Sequence, residues 1–123
     1  MRKNTSQEFR AHNMLGKETK IVGNITAEND IRIDGVLEGD INCKGKIVVG
    51  RTGMIIGTII CHEADIYGQV KGILQISELL SIKESANIEG DILTKILNIE
   101  PKALFNGTCK MVKDATTKPT PHQ

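Results

Sequence analysis

The sequence predicts an all-β fold: a single-stranded, right-handed parallel β-helix, a triangular solenoid of about six turns with disordered tails. Three observations carry this expectation. A short phrase recurs six times at near-constant spacing, the apolar content is almost wholly aliphatic, and no stretch between repeats is long enough for a useful helix.

The phrase is small-x-apolar-x-Gly-x-apolar, and its first copy, Thr19 to Ile25, is slightly degenerate. Gly35 to Ile41, Gly53 to Ile59, Gly68 to Leu74, Ala86 to Ile92 and Ala103 to Cys109 follow. Their central glycines fall at 23, 39, 57, 72, 90 and 107, in steps of 16, 18, 15, 18 and 17. A repeat of this length is one structural unit that cannot bury its apolar face alone, so neighbours must stack. A second alternating stretch lies between the copies: Ile31/Ile33, Ile47/Val49, Ala64/Ile66, Leu80/Ile82 and Leu97/Ile99. A third set follows each glycine segment, at Ala27, Cys43, Cys61, Ile76, Thr94 and Met111. Period-2 alternation puts these apolar residues on one face, giving three short strands per repeat. The glycines are expected at a corner where a bulkier residue or a negative φ does not serve.

Composition agrees with stacked turns. Of the 123 residues eighteen are Ile, which favours strands, while aromatic residues make up only 2%. Strands stack about 4.8 Å apart, so six turns make a rod of roughly 25–30 Å. Each turn sends about five aliphatic side chains inward at ~1.5–3 kcal/mol each before entropy. One turn does not offset its own ordering cost, whereas a stack does. The hexad of left-handed β-helices fails here. Counting by six from Ile25 runs well to Cys61 and then meets Tyr67, Ser85 and Asp91.

The rod is expected over residues 19–111, with a flexible N-terminal tail over 1–18 and a disordered C-terminal tail over 112–123. The N-terminal tail carries Arg2, Lys3 and Arg10 with Phe9, Met14 and Leu15, a weak candidate set for contact with a membrane surface. Pro119 and Pro121 disfavour a strand in the last residues. Acidic residues beside the glycine segments (Asp34, Glu38, Asp40, Glu89, Asp91) read as a solvated face.

Several function classes find no support. A net charge of +1 gives no electrostatic footprint for nucleic acid, and the start holds no apolar run suited to secretion. Three cysteines, Cys43, Cys61 and Cys109, match neither a disulfide framework nor a zinc spacing and are expected in the core of a protein from a reducing compartment. His12, His62 and His122 are scattered, and no phosphate-binding loop is present. No catalytic, cofactor or metal residue is therefore assigned, no small-molecule substrate is expected, and an enzyme is not.

What remains is geometry. The ends of a solenoid expose unpaired strand edges and the last layer of core side chains. Here the last turn ends in Leu104, Phe105, Cys109 and Met111, and the first begins at Ile21 and Ile25. Such ends favour end-to-end stacking, and stacking that does not close gives a filament. These six residues are the candidate polymerisation interface.

At Ile21 to Ile25, Asp34 to Ile41 and Ala86 to Ile92 the sequence resembles the bactofilins, bacterial polymer-forming cytoskeletal proteins. The resemblance covers about residues 18–113. It implies a right-handed β-helix that polymerises end to end without a nucleotide. It also implies a cytoplasmic scaffold for cell shape, wall synthesis, division or polar organisation, often held at the inner face of the membrane by the N-terminal tail. Cell-wall or polarity proteins are the further partners it suggests. Two other readings stand beside it. One is a non-polymerising protein-binding module, like the β-helical domain of bacterial division-site inhibitors. The other is a hexapeptide-type transferase or carbonic-anhydrase-like trimer, for which His62 is the lone histidine within the rod.

Overall fold

The computed structural model describes residues 13–112. Within them no residue is helical, and eleven strands wind as a triangular β-helix. The short strands come first: β1 (Asn13–Leu15), β2 (Lys20–Val22), β3 (Ile25–Ala27), β4 (Ile31–Ile33), β5 (Val36–Glu38), β6 (Ile41–Cys43) and β7 (Lys46–Val49). From there each strand runs through one or more corners: β8 (Met54–Ile66), β9 (Gln69–Ile82), β10 (Asn87–Ile99) and β11 (Leu104–Met111).

All pairings are parallel, and they build three faces of six strands each. The first face stacks β1, β4, β7 and segments 63–66, 79–82 and 96–99. The second stacks β2, β5 and segments 54–56, 69–71, 87–89 and 104–106. The third stacks β3, β6 and segments 59–61, 74–76, 92–94 and 109–111. One turn therefore takes a strand from each face, and the first turn is 13–27.

Inward ladders form as the spacing requires. Leu37, Ile55, Val70 and Ile88 stack on the second face, each 0% exposed. Ile41, Ile59, Leu74 and Ile92 stack on the third, each no more than 2% exposed. Thr94 and Ser81 are the buried polar residues among those described, and the Thr94 hydroxyl donates to the Ile96 carbonyl at 3.2 Å.

The three corners are made differently. Between the second and third faces stand Gly23, Gly39, Gly57, Gly72, Gly90 and Gly107, all with φ between 139° and 151°. From Gly39 onward an added Cβ would land on the carbonyl oxygen of the glycine one turn below, so only glycine stacks on glycine here. The N–H that follows is met by a side chain: Asp40 N donates to Asn24 Oδ1 and Thr58 N to Asp40 Oδ1, both at 3.0 Å. Asp40 thus caps backbone at the corner, a closer role than the solvated face expected of it.

The corner between the first and second faces explains the uneven steps of the repeat. It is a direct link at Asp34-Gly35 and Tyr67-Gly68, and a hydrogen-bonded β-turn at 16–19, 50–53, 83–86 and 100–103. In the last of these Pro101 precedes Lys102 at φ 80°, the pattern of a type II turn that normally takes glycine at the second centre. The third corner absorbs one extra residue at Ser77-Glu78, where the register shifts against Cys61/Glu63.

The first boundary needs correction. Asn13–Leu15, expected in the tail, forms β1 and pairs with Ile31–Ile33, and Leu15 is 7% exposed in the core. Val112, also assigned to a tail, still donates its N–H to the Thr94 carbonyl at 3.1 Å. Residues 16–18, placed in the same tail, belong to the described turn at 16–19, whereas 1–12 and 113–123 lie outside the described residues.

Candidate assembly interface

Both ends of the rod expose core. At the N-terminal end Ile21 and Ile25 occupy inward columns yet remain half-buried, whereas Leu37 and Ile41 one turn on are 0% and 1% exposed. Leu15 and Ala27 complete this layer. At the C-terminal end Leu97 and Phe105 are half-buried, Ile99 is 48% exposed and Met111 55%, and Cys109 is exposed. Ile88, beneath Phe105, is fully buried. Each end residue belongs to a ladder that stops, which leaves one side of its side chain uncovered.

The backbone tells the same story. Among the described residues β1, β2 and β3 pair only toward the second turn, while segment 96–99 and β11 pair only toward the fifth. Every strand between pairs on both sides. The rod's unpaired N–H and C=O groups are therefore concentrated at its two ends, beside the exposed apolar layers.

Of the six expected interface residues, Ile21 and Ile25 lie in the N-terminal layer and Phe105, Cys109 and Met111 in the C-terminal one. Leu104 differs: it alternates with Phe105 and points outward, 61% exposed, so it flanks the end. Sequence reasoning omitted Leu15, Leu97 and Ile99 from the ends. The signal was present, since Leu15 stands one repeat before Ile33 and Leu97/Ile99 close the first-face ladder.

The thiols divide by position. Cys43 and Cys61 are buried, and burial pushes the Cys61 thiol far above its ordinary pKa. Cys109, expected in the core, is exposed because no seventh turn stacks on it within the described residues. Of the membrane candidates Met14 is 66% exposed, Leu15 is withdrawn into the core, and Arg2, Lys3, Phe9 and Arg10 lie outside the described residues.

The lateral faces hold ion pairs. On the first face Arg32 Nε meets Asp34 Oδ2 at 2.9 Å and Lys46 Nζ meets Asp65 Oδ2 at 3.0 Å, along a shallow groove with Tyr67 on its wall. Its hydrogen bond to Asp65 is the main reason the Lys46 pKa is raised. His62 is exposed and its Nδ1 lies 3.0 Å from Ser77 Oγ. Among the described residues no group of three His, Cys, Asp or Glu side chains converges on a metal-sized site.

A β-solenoid whose two ends both present strand edges and apolar layers is a polymer-forming protein by architecture. Comparison with known proteins makes the class specific. The family model described as Bactofilin, polymer-forming cytoskeletal, matches residues 13–110. Bactofilin BacO of Myxococcus xanthus is 28% identical over 101 residues, covering 82% of this chain and 80% of BacO. Bactofilin BacP of the same organism is 24% identical over 98 residues; the match covers 80% of this chain but 41% of BacP.

Two solved structures of Thermus thermophilus bactofilin are similar as well. A crystal structure of a point mutant aligns with a TM-score of 0.68 at 28% identity, covering 72% of this chain and 98% of that one. A cryo-EM reconstruction of double helical filaments aligns with a TM-score of 0.70 at 26% identity, covering 81% and 99%. The chain belongs to the bactofilins, a family of structural, self-assembling cytoskeletal proteins.

Proposed function

We propose that this chain stacks end to end into a homopolymer without nucleotide, and that the polymer serves as a cytoplasmic scaffold for cell shape, wall synthesis or polar organisation. The observation that carries the reading is the match of exposed core to unpaired edge at both ends. Stacking covers Ile21 and Ile25 at one end, and Leu97, Ile99, Phe105 and Met111 at the other. It also gives their strands ladder partners. Each such hydrogen bond contributes ~0.5–1.5 kcal/mol, while an edge buried without a partner costs more than that. No step in this assembly needs a phosphate to be bound or cleaved.

Contact with the inner face of the membrane belongs to the same reading, supported by the basic and apolar residues of the N-terminal tail: Arg2, Lys3, Phe9, Arg10 and the exposed Met14. Partners among cell-wall or polarity proteins would then be recruited along the polymer.

Negative-stain imaging and sedimentation of the purified chain test the core of the proposal. Filaments in nucleotide-free buffer are expected. A strictly monomeric species at micromolar concentration, in both low and physiological salt, overturns it. For the membrane contact, the full chain should pellet with anionic vesicles and a chain lacking residues 1–12 should not.

A further inference from the structure

We infer that an apolar ridge of Ile56, Ile60 and Ile73 is the lateral contact through which one filament of this chain pairs with a second. The inference rests on the end-to-end reading and adds the surface that operates after it.

The ridge lies at the glycine corner between the second and third faces. Ile56, Ile60 and Ile73 point outward and are 37%, 39% and 46% exposed. The register sets Ile73 opposite Thr58, so it stands one turn above and midway between Ile56 and Ile60. Ile56 and Ile60 flank the Gly57 corner and Ile73 lies between them on the next turn, about 4.8 Å along the rod, so the three side chains gather at that corner. Half-buried Leu93 prolongs the ridge by a turn, because Asp91 pairs with Ile73 and Leu93 follows two residues later. Elsewhere these outward columns are mostly polar, with Glu38 and Lys71 on either side of Ile56 and Asn42 and Gln75 on either side of Ile60, and Val22 of the first turn is an apolar exception. Lone exposed aliphatics need no explanation; three gathered at one corner, in columns that are mostly polar, do.

The ridge occupies the third and fourth turns, away from both ends, so end-to-end stacking leaves it open. Strands in these turns pair on both sides, so no backbone group is offered laterally and only side chains can make the contact. The occupant that fits is a second copy. In a filament the patch recurs once per subunit, about every 29 Å for six stacked turns. A second filament of the same chain carries the same patch at the same repeat, and apolar side chains need no charge complement. The similar Thermus thermophilus protein forms double helical filaments.

A single patch is far below the ~1,000 Å² of a stable interface, so monomers should not pair through it. Along a polymer the contacts act together, and weak contacts sum. Lateral pairing should therefore follow longitudinal assembly.

The test compares three full-length proteins by negative stain, circular dichroism and vesicle sedimentation: wild type, Ile60→Thr/Ile73→Lys and Phe105→Arg. Wild type is expected as paired filaments. The ridge variant should give single filaments of half that width with an unchanged β signal, and Phe105→Arg should give neither. Should the lysine prevent folding, Ile60→Thr/Ile73→Thr keeps the β-branched shape and must show the same halving. Wild-type filaments that are single, or a folded ridge variant still at full width, overturn the lateral assignment alone. Loss of vesicle binding with pairing intact assigns the ridge to a membrane and also overturns it. Absence of any wild-type filament overturns the end-to-end reading beneath it.

Discussion

Gly23 and Gly72 share a corner conformation, with φ of 139° and 142°, but differ in what lies beneath them. A Cβ at Gly23 meets nothing within 4 Å, while a Cβ at Gly72 would land on the Gly57 carbonyl oxygen. Gly23→Ala therefore meets backbone strain alone, ~1–3 kcal/mol. Gly72→Ala meets that strain plus overpacking against rigid backbone, a further ~1–3 kcal/mol. With a urea m-value of about 1.5 kcal/mol per M, the first should lower the unfolding midpoint by about 0.7–2 M and the second by roughly twice as much. The measurement is urea unfolding followed by circular dichroism, in a Phe105→Arg background that keeps the protein monomeric. Equal losses at the two sites would refute the stacking argument. A larger loss at Gly23 would place the cost in conformation alone and remove carbonyl-on-glycine packing as a reason for the repeat.

Phe105→Arg should abolish sedimenting polymer while leaving the β signal intact, since the ring is half-buried in the last layer and a guanidinium there faces an incoming apolar end; persisting filaments would remove that end from the interface. Lys102→Gly should stabilise by about 0.5–1 kcal/mol, because Lys102 holds φ 80° in a turn suited to glycine, and thermal unfolding would show the rise. Asp40→Ala should cost about 1 kcal/mol by leaving Thr58 N without its acceptor, and Asp40→Asn should restore most of it. In thiol titration Cys109 should react fast in monomer and slowly in polymer, with Cys61 reacting only on unfolding. Because the folded Cys61 pKa is raised, the stability this thiol contributes is full below its unfolded pKa of about 8.5 and declines at higher pH. Cys61→Val should flatten that alkaline decline.

Most of the architecture could be read from residue spacing. A solenoid contact pairs a residue with its equivalent one repeat away, so tertiary neighbours such as Gly57, Gly72 and Gly90 are visible as periodicity. Burial follows from the same rule, and the stacked isoleucines and leucines fill the columns their alternation assigned. Even the placement of Phe105 in the terminal layer needed only the count of turns.

What the linear pattern did not carry is where stacking stops and what lies sideways. Leu15 has the period of the ladder but no apolar partner on its own face of a three-residue strand, so its burial appears only once β1 docks on β4. Leu104 and Phe105 are neighbours in sequence, and the pleat sends one outward and the other into the end layer. Asp40 looked like surface charge until the corner N–H of Thr58 was placed beside it. The ridge of Ile56, Ile60 and Ile73 was hidden because it runs diagonally between turns, and an axial repeat reports only columns. Periodicity encodes the translation along the rod, whereas ends, corners and lateral patches depend on where the winding brings non-equivalent residues together.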